Sequence, residues 1–221
     1  LGYNPMVRLD PFLMLDAFSS DNPDDYIAGF PPHPHRGFET VTYLMEGHMK
    51  HRDHLCNEGD LQQGGVQWMT AGRGIIHEEM PQQQDGLLRG FQLWINLPAA
   101  EKMKAAGYRD ITDTEIPRLD LPKGGQIKAI AGEVTIGNQV ISAPVKGGST
   151  DPLYLDVKLR ADETVTVPLT QGYNAFLYLF EGQVSIAGEA VKSDHLATFT
   201  DGDKVSLVAG DHGARLLLLA G

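Results

Sequence analysis

Glycine and proline are spread along the whole chain and divide it into short runs with the residue pattern of β-strands. The 221 residues include 25 Gly and 13 Pro, residues that interrupt regular structure and mark turns. In Thr164–Val167 the apolar residues alternate with polar ones, as in a half-buried strand. The pattern predicts an all-β sandwich or barrel. The predicted strands are Thr40–Met45, Gly65–Met69, Leu88–Asn96, Leu153–Leu159, Thr164–Leu169, Ala175–Phe180, Gln183–Ile186, Lys204–Val208 and Arg215–Leu219.

One stretch has the pattern of a helix, and one motif recurs. Ala99–Ala106 follows a proline and precedes a glycine, which is the usual order at helix ends. Tyr43–Gly47 (YLMEG) is echoed by Tyr178–Gly182 (YLFEG), and each Glu-Gly pair is expected to make a tight turn. Because strand-like sequence surrounds both copies, we predict two similar β-barrel halves. The predicted domains are 1–110 and 151–221, joined by a connecting region at 111–150.

Charge and cysteine content limit the partners and the compartment. The formal net charge of −11 would repel phosphate backbones and anionic membranes, so no direct contact with nucleic acid or membrane is expected. No run of Lys or Arg predicts a local basic patch. The single cysteine, Cys56, favours a reducing compartment, and we expect the cytoplasm. Leu1–Pro5 has no basic-then-apolar signal pattern, and no apolar run approaches the roughly 20 residues of a membrane helix.

Two pairs of side chains in the first half have the spacing of metal ligands on strands. His33 and His35 are two residues apart, as are His77 and Glu79, so each pair is expected on one face of a strand. On facing strands the pairs would surround one ion with three imidazoles and a carboxylate. Such a set suits Fe(II), Mn, Ni, Cu or Zn. Either pair alone also fits a surface or structural role.

Longer stretches around these pairs resemble known motifs. His33–Tyr43 resembles the first cupin motif, and Gly65–Glu79 resembles the second. Both resemble the pirin family in particular, as do Asp10–Asp16 and Gln92–Pro98. The resemblance is strong over residues 10–98 and weak over the rest of the chain.

The resemblance implies a bicupin fold of two jelly-roll-like β-barrels with few short helices, and a metal in the N-terminal barrel only. It implies His33, His35, His77 and Glu79 as ligands. The expected ion is Fe(II), with Ni, Mn, Cu, Co or Zn as alternatives. In many other cupins the acidic ligand comes from the first motif, which here would be Glu39. Glu39 is therefore the reserve ligand, although we favour a role as an ion-pair partner.

The other histidines are not predicted to bind a metal. The second half reads Pro168–Thr170 where the echo would place the His-x-His pair, so the C-terminal cupin domain is expected to lack the metal motif. His195 and His212 stand there without paired ligands. His51 and Asp53 resemble a family pattern and are expected to form a structural hydrogen-bond pair.

The resemblance also implies an activity. Members of the pirin family resemble quercetin 2,3-dioxygenases, which would use dioxygen to open the central ring of a flavonol with loss of carbon monoxide. The partners would be a small flavonol-like aromatic and dioxygen, with Glu79 as the base that takes the flavonol proton. The alternative is a metal-binding transcriptional or metabolic co-regulator that acts through protein partners. A third reading is a cupin enzyme for another small acid or phenol. A closed cavity beside the metal would count against a flavonol.

Overall fold

The computed structural model describes residues 8–221, so the expectation for Leu1–Pro5 lies outside the described residues. The chain divides into two compact units, Leu1–Glu115 and Ile116–Gly221. The regular structure of both is almost entirely antiparallel β-sheet, which confirms the all-β prediction. No helix within residues 8–221 has the length and apolar character that a membrane crossing requires.

The first unit contains a five-stranded and a four-stranded sheet. Its strands are β1 Phe12–Ser20, β2 Phe30–His35, β3 Phe38–Glu46, β4 His48–Asp53, β5 Glu58–Gln62, β6 Val66–Thr70, β7 Ile75–Pro81, β8 Leu88–Asn96 and β9 Gly107–Ile111. Its helices are α1 Pro23–Tyr26 and a 3-10 turn at Asp113–Glu115. The sheet orders are β1-β8-β3-β6-β9 and β2-β7-β4-β5. The two strands that carry the predicted ligands, β2 and β7, are therefore hydrogen-bonded neighbours.

The second unit is built around one large sheet. Its strands are β10 Arg118–Asp120, β11 Gln126–Ala131, β12 Glu133–Ile136, β13 Gln139–Ser142, β14 Leu153–Leu159, β15 Thr164–Pro168, β16 Ala175–Ile186, β17 Glu189–Lys192, β18 His195–Thr198 and β19 Lys204–Ala220. The main order is β10-β11-β14-β19-β16-β17; β15 pairs with β19, β18 with β16, and β12 with β13. The stretch 111–150, predicted as a connection, thus contains strands β10 to β13.

Alternation along the strands explains which residues form the core. In β15, Val165 and Val167 are buried, whereas Thr164 and Thr166 are exposed. The long strand β19 pairs with β14, β15 and β16. Its last residues, Leu216–Ala220, are buried at every position, as expected of a strand covered on both faces.

The predicted helix at Ala99–Ala106 is wrong. The chain makes successive turns there: the amides of Glu101 and Lys102 both donate to the Pro98 carbonyl, at 2.8 and 3.1 Å. Start and stop signals do not by themselves produce a helix, because most helical stability in proteins comes from packing of an apolar face. Gly107 begins β9 instead of capping a helix.

A short helix that was not predicted, α1, begins at Pro23. Asn22 precedes it, and its side-chain oxygen accepts from the Asp24 amide at 3.3 Å. An Asn cap followed by Pro at the first helical position is a sequence signal for a helix start. The helix has only four residues, too few to show a periodic apolar pattern.

The repeated motif coincides with the same irregularity in both units. The β3–β8 register shifts between Leu44 and Glu46, and the β16–β19 register shifts between Leu179 and Glu181. The glycine that follows each shift has a positive φ, of 106° and 76°. At the first copy the chain bends at Gly47 between β3 and β4, whereas β16 continues through the second copy, so the predicted tight turn is not formed at Gly182. The repeated motif therefore marks an interruption of the regular strand register in both units.

The second of these glycines, Gly182, allows two backbone segments to approach closely. A Cβ built on Gly182 would collide with the carbonyl oxygen of Gly213 and lie 2.9 Å from its carbonyl carbon. Gly188 has a similar φ of 85° but no atom within 4 Å of such a Cβ. Gly182 and Gly188 thus both have a positive φ, but only Gly182 lies against another backbone segment.

Gly182→Ala should reduce the free energy of unfolding more than Gly188→Ala does. Both substitutions place a side chain at positive φ, which costs about 1 kcal/mol. Gly182→Ala must also push two backbone segments apart, at a further cost of about 1–3 kcal/mol. Urea unfolding followed by circular dichroism measures both values, and equal losses would contradict the close approach.

Candidate metal centre

The pairing of β2 with β7 brings the predicted ligand pairs together. The two strands are antiparallel, with His33 opposite His77. On β7, His77 and Glu79 are buried while Ile76 is 47% exposed. On β2, His35 is buried. Residues two apart therefore point to the same buried face, as the spacing predicts.

The three histidines form a compact cluster. His33, His35 and His77 each offer one ring nitrogen, and these atoms all lie within 4.8 Å of one another. The Nε2 atoms of His33 and His77 are 2.9 Å apart. Three converging imidazole nitrogens at this spacing could hold one metal ion.

Polar atoms without partners are concentrated at this cluster. Among the described residues, the buried side-chain nitrogens and oxygens that lack a hydrogen bond are His35 Nε2, His51 Nε2, Trp94 Nε1 and Tyr154 Oη. The ring of Trp94 lies edge-on to that of His35, with centroids 5.3 Å apart. An unsatisfied buried polar atom costs about 1–3 kcal/mol. A cation bound to His35 Nε2 would remove that cost, so the residues present fit a metal.

Burial keeps two of these imidazoles in the form that binds metals. Burial, with the charges of His33 and His51, lowers the pKa of His35 to about 4. Burial, followed by the charges of the surrounding histidines, lowers the pKa of His77 to about 2. Metal ligation requires the neutral ring. At neutral pH both rings therefore have a lone pair available for a cation.

Glu79 lies beside the cluster, but its carboxylate is not among the atoms that lie within 4.8 Å of one another. Its Oε1 accepts a hydrogen bond from Thr42 Oγ1 at 3.2 Å. Burial raises the pKa of Glu79, and the hydrogen bond from Thr42 opposes that shift. The structure thus assembles the three predicted histidines and places the carboxylate next to them; its role as fourth ligand stays a prediction.

Glu39 is engaged by other residues. Its Oε2 accepts from Trp68 Nε1 at 3.1 Å, and its Oε1 accepts from Thr70 Oγ1 at 2.6 Å. Lys104 Nζ lies 3.6 Å from the same Oε1. Because both carboxylate oxygens have partners, the structure favours the ion-pair role over that of a reserve ligand.

His51 contributes a contact that sequence reasoning missed. The expected hydrogen bond to Asp53 is not formed, because that carboxylate accepts from the Leu55 amide at 2.8 Å and from the Asn57 amide and side chain at 3.0 and 2.7 Å. Instead, His51 Nδ1 lies 3.2 Å from His77 Nδ1. A ligating histidine is usually oriented through its second ring nitrogen. The pairing of β4 with β7 creates this contact, and no local motif signals it.

A cavity of about 290 Å³ opens beside the cluster. Its lining residues are Met14, Asp16, Phe18, Phe30, His33, Pro34, His35, Thr42, Met49, Glu79, Gln92 and Trp94. The volume is near the lower end of the range of about 300–1,000 Å³ for small-molecule sites, and mostly apolar walls with a few polar groups are typical of them. The condition that would have counted against a flavonol, a closed or absent cavity, is not met.

Comparisons with known proteins agree with this architecture. Residues 2–95 match the sequence model of the family Pirin, and residues 154–221 match that of the Pirin C-terminal cupin domain. A protein of Pseudomonas aeruginosa named "Putative quercetin 2,3-dioxygenase" is 49% identical over 217 residues, which cover 97% of this chain and 76% of that protein.

Solved structures show the same fold. A crystal structure of a quercetin 2,3-dioxygenase from Acinetobacter baumannii gives a TM-score of 0.87 at 31% identity, covering 96% of this chain and 75% of that one. A bacterial pirin from Escherichia coli in complex with nickel(II) gives a TM-score of 0.75 at 20% identity, covering 99% and 86%. The fold, the two matched domains and the close relatives lead to one conclusion: this chain belongs to the pirin family of bicupin proteins.

Proposed function

We propose that this protein is a metal-dependent dioxygenase that opens the central ring of a flavonol such as quercetin. Flavonol plus dioxygen would give the ring-opened ester plus carbon monoxide. The observation that carries the proposal is the cavity of about 290 Å³ beside three converging histidines. The names of the Pseudomonas and Acinetobacter relatives support the reaction class.

His33, His35, His77 and Glu79 would hold one divalent ion. Fe(II) is the proposed ion. Nickel, which the Escherichia coli pirin structure contains, is an alternative, as are Mn, Cu, Co and Zn, because a mixed nitrogen and oxygen set does not select one metal. When bound, the ion would lower the pKa of the flavonol hydroxyl and offset the charge of the resulting anion.

Glu79 would take the proton from the flavonol hydroxyl. Burial raises the pKa of its carboxyl group towards the range in which a general base works well. Thr42 Oγ1 lies 3.2 Å from Glu79 Oε1 and 2.6 Å from Gln92 Oε1. Thr42 thus links Glu79 to Gln92 and holds the Glu79 carboxyl at the cavity wall, next to the histidines. The raised pKa of Glu79 and its place at the cavity wall support this role.

The apolar walls would position the flat rings and exclude water. Phe18 and Phe30 form an edge-to-face pair at 6.4 Å, and both line the cavity. Trp94 lies 4.6 Å from Phe38, ring centroid to ring centroid, which fixes the indole beside His35. Aromatic surfaces favour aromatic ligands through offset and edge contacts. The cavity thus suits a planar phenolic compound better than a small hydrophilic acid.

His35→Ala should remove metal binding and turnover together. Loss of a ligand is expected to weaken metal affinity by more than the roughly 10- to 100-fold that loss of a supporting residue costs. The measurements are metal content after loading with Fe(II), the decrease of quercetin absorbance under oxygen, and carbon monoxide release. His195→Ala, at an exposed histidine of the second unit, should match the wild type.

Two outcomes would count against the dioxygenase proposal. One is full turnover by His35→Ala protein. The other is wild-type protein that leaves quercetin unchanged with each of the six ions. In the second case, redox-dependent binding of a protein partner would favour the regulatory alternative.

Glu79→Gln should reduce kcat for quercetin by about 10²- to 10⁴-fold, because the amide cannot accept the hydroxyl proton. Glu78→Gln is the matched control, since Glu78 points away from the buried face of β7. Steady-state kinetics with metal-loaded proteins measures both, and thermal unfolding checks that both fold. A Glu79→Gln enzyme as fast as Glu78→Gln would show that the carboxylate is not the base.

A further inference from the structure

The second unit contains a cavity of about 560 Å³ with an excess of positive charge. Its charged or titratable lining residues are Lys123, Lys158, Arg160, Arg215, Glu181, Asp211 and His212. Four cations thus line the cavity together with two carboxylates and a histidine, and one of the cations, Arg215, pairs with the buried Asp156. The whole chain carries a formal net charge of −11. Among the side chains that line the cavity, cations therefore outnumber carboxylates although the whole chain is acidic.

The sequence has no run of Lys or Arg that would predict this group of cations. On the neighbouring strands β14, β19 and β16, Lys158 lies opposite Arg215, which lies opposite Glu181. Lys123 lies between β10 and β11, and Arg160 between β14 and β15. The four cations come from separate segments of the chain, so no continuous run of Lys and Arg predicts them. Folding alone brings them to one place.

A buried carboxylate fixes the two loops that carry Lys123 and Arg160. Glu163 is 1% exposed; its Oε1 accepts from the Lys123 amide at 2.8 Å and its Oε2 from the Arg160 amide at 2.9 Å. Lys123 Nζ donates to the Asp162 carbonyl at 2.8 Å, and Arg160 Nε donates to the Gly124 carbonyl at 3.3 Å. Each head group keeps further donors after these bonds. The loops are therefore held in place before any ligand binds.

The other two cations differ in their surroundings. Arg215 donates to both carboxylate oxygens of Asp156, at 3.1 and 2.8 Å, and its guanidinium lies 5.6 Å from the ring centre of Phe180. These contacts orient the guanidinium. The side chain of Lys158 forms no hydrogen bond or ion pair with any residue that the structure describes, so its charge is available to a ligand.

We propose that this cavity binds a small anion that carries phosphoryl or carboxylate groups. Guanidinium and ammonium groups held on fixed loops are the usual partners of such oxyanions. The cavity volume suits a metabolite-sized molecule. The β16–β19 register shifts again between Gly182 and Val184 at this place, and β-bulges are frequent beside functional sites. The site belongs to the second unit and is independent of the dioxygenase proposal.

Calorimetric titration of the whole protein at low ionic strength tests this site, with inorganic phosphate and citrate as probes. We expect saturable binding of at least one probe that weakens with added salt. Lys158→Ala and Arg160→Ala should each reduce the affinity by about 10-fold or more, because each removes a charge-assisted contact. Lys192→Ala makes the same change of charge on β17, outside the cavity, and should leave the affinity unchanged.

The two probes distinguish the ligand class. Preference for phosphate indicates a phosphoryl ligand, and preference for citrate indicates a polycarboxylate; either result supports the site. Absence of saturable binding for both probes overturns it, as does an equal loss in Lys192→Ala, which would show only a general effect of net charge. Quercetin turnover by Lys158→Ala should equal that of the wild type, so the two proposals fail separately.

Discussion

The antiparallel pairing of β2 with β7 is the constraint on which the site depends. It places His33 opposite His77, and the two-residue period brings His35 and Glu79 to the same buried face. A slip of one strand by one residue would turn its pair to the opposite side of the sheet from the other pair. Because β4 pairs with the other edge of β7, the same strand also receives the support of His51.

This arrangement has an electrostatic consequence for the folded chain. Three imidazoles are crowded together, and burial holds the pKa values of His35 and His77 far below neutral pH. At neutral pH the rings of His35 and His77 therefore stay neutral, and His35 Nε2 has no hydrogen-bond partner. A cation bound there would satisfy this nitrogen and would favour the folded state over the unfolded one by mass action. Metal binding and local stability would therefore be linked through the same atoms.

Local sequence patterns predicted the features that depend on neighbouring residues, such as strand bounds and the face on which a side chain lies. Alternation located β8 and β14 at their observed bounds, and the two-residue spacing predicted the shared face of His77 and Glu79. Features that depend on distant pairing were missed. The contact of His51 with His77 comes from the β4–β7 register, and the basic cavity comes from loops and strands far apart in sequence. The turns at Ala99–Ala106 show that end signals alone do not specify a helix.

The most direct test of the central claim is the coordination of the ion itself, observed in a crystal structure of the iron- or nickel-loaded protein. We predict one ion bound by Nε2 of His33 and His77, a ring nitrogen of His35, and a carboxylate oxygen of Glu79. The metal–nitrogen distances should be about 2.0–2.2 Å, close to those of other divalent transition metals with histidine. An ion bound elsewhere, or one that takes its carboxylate from Glu39, would contradict the account.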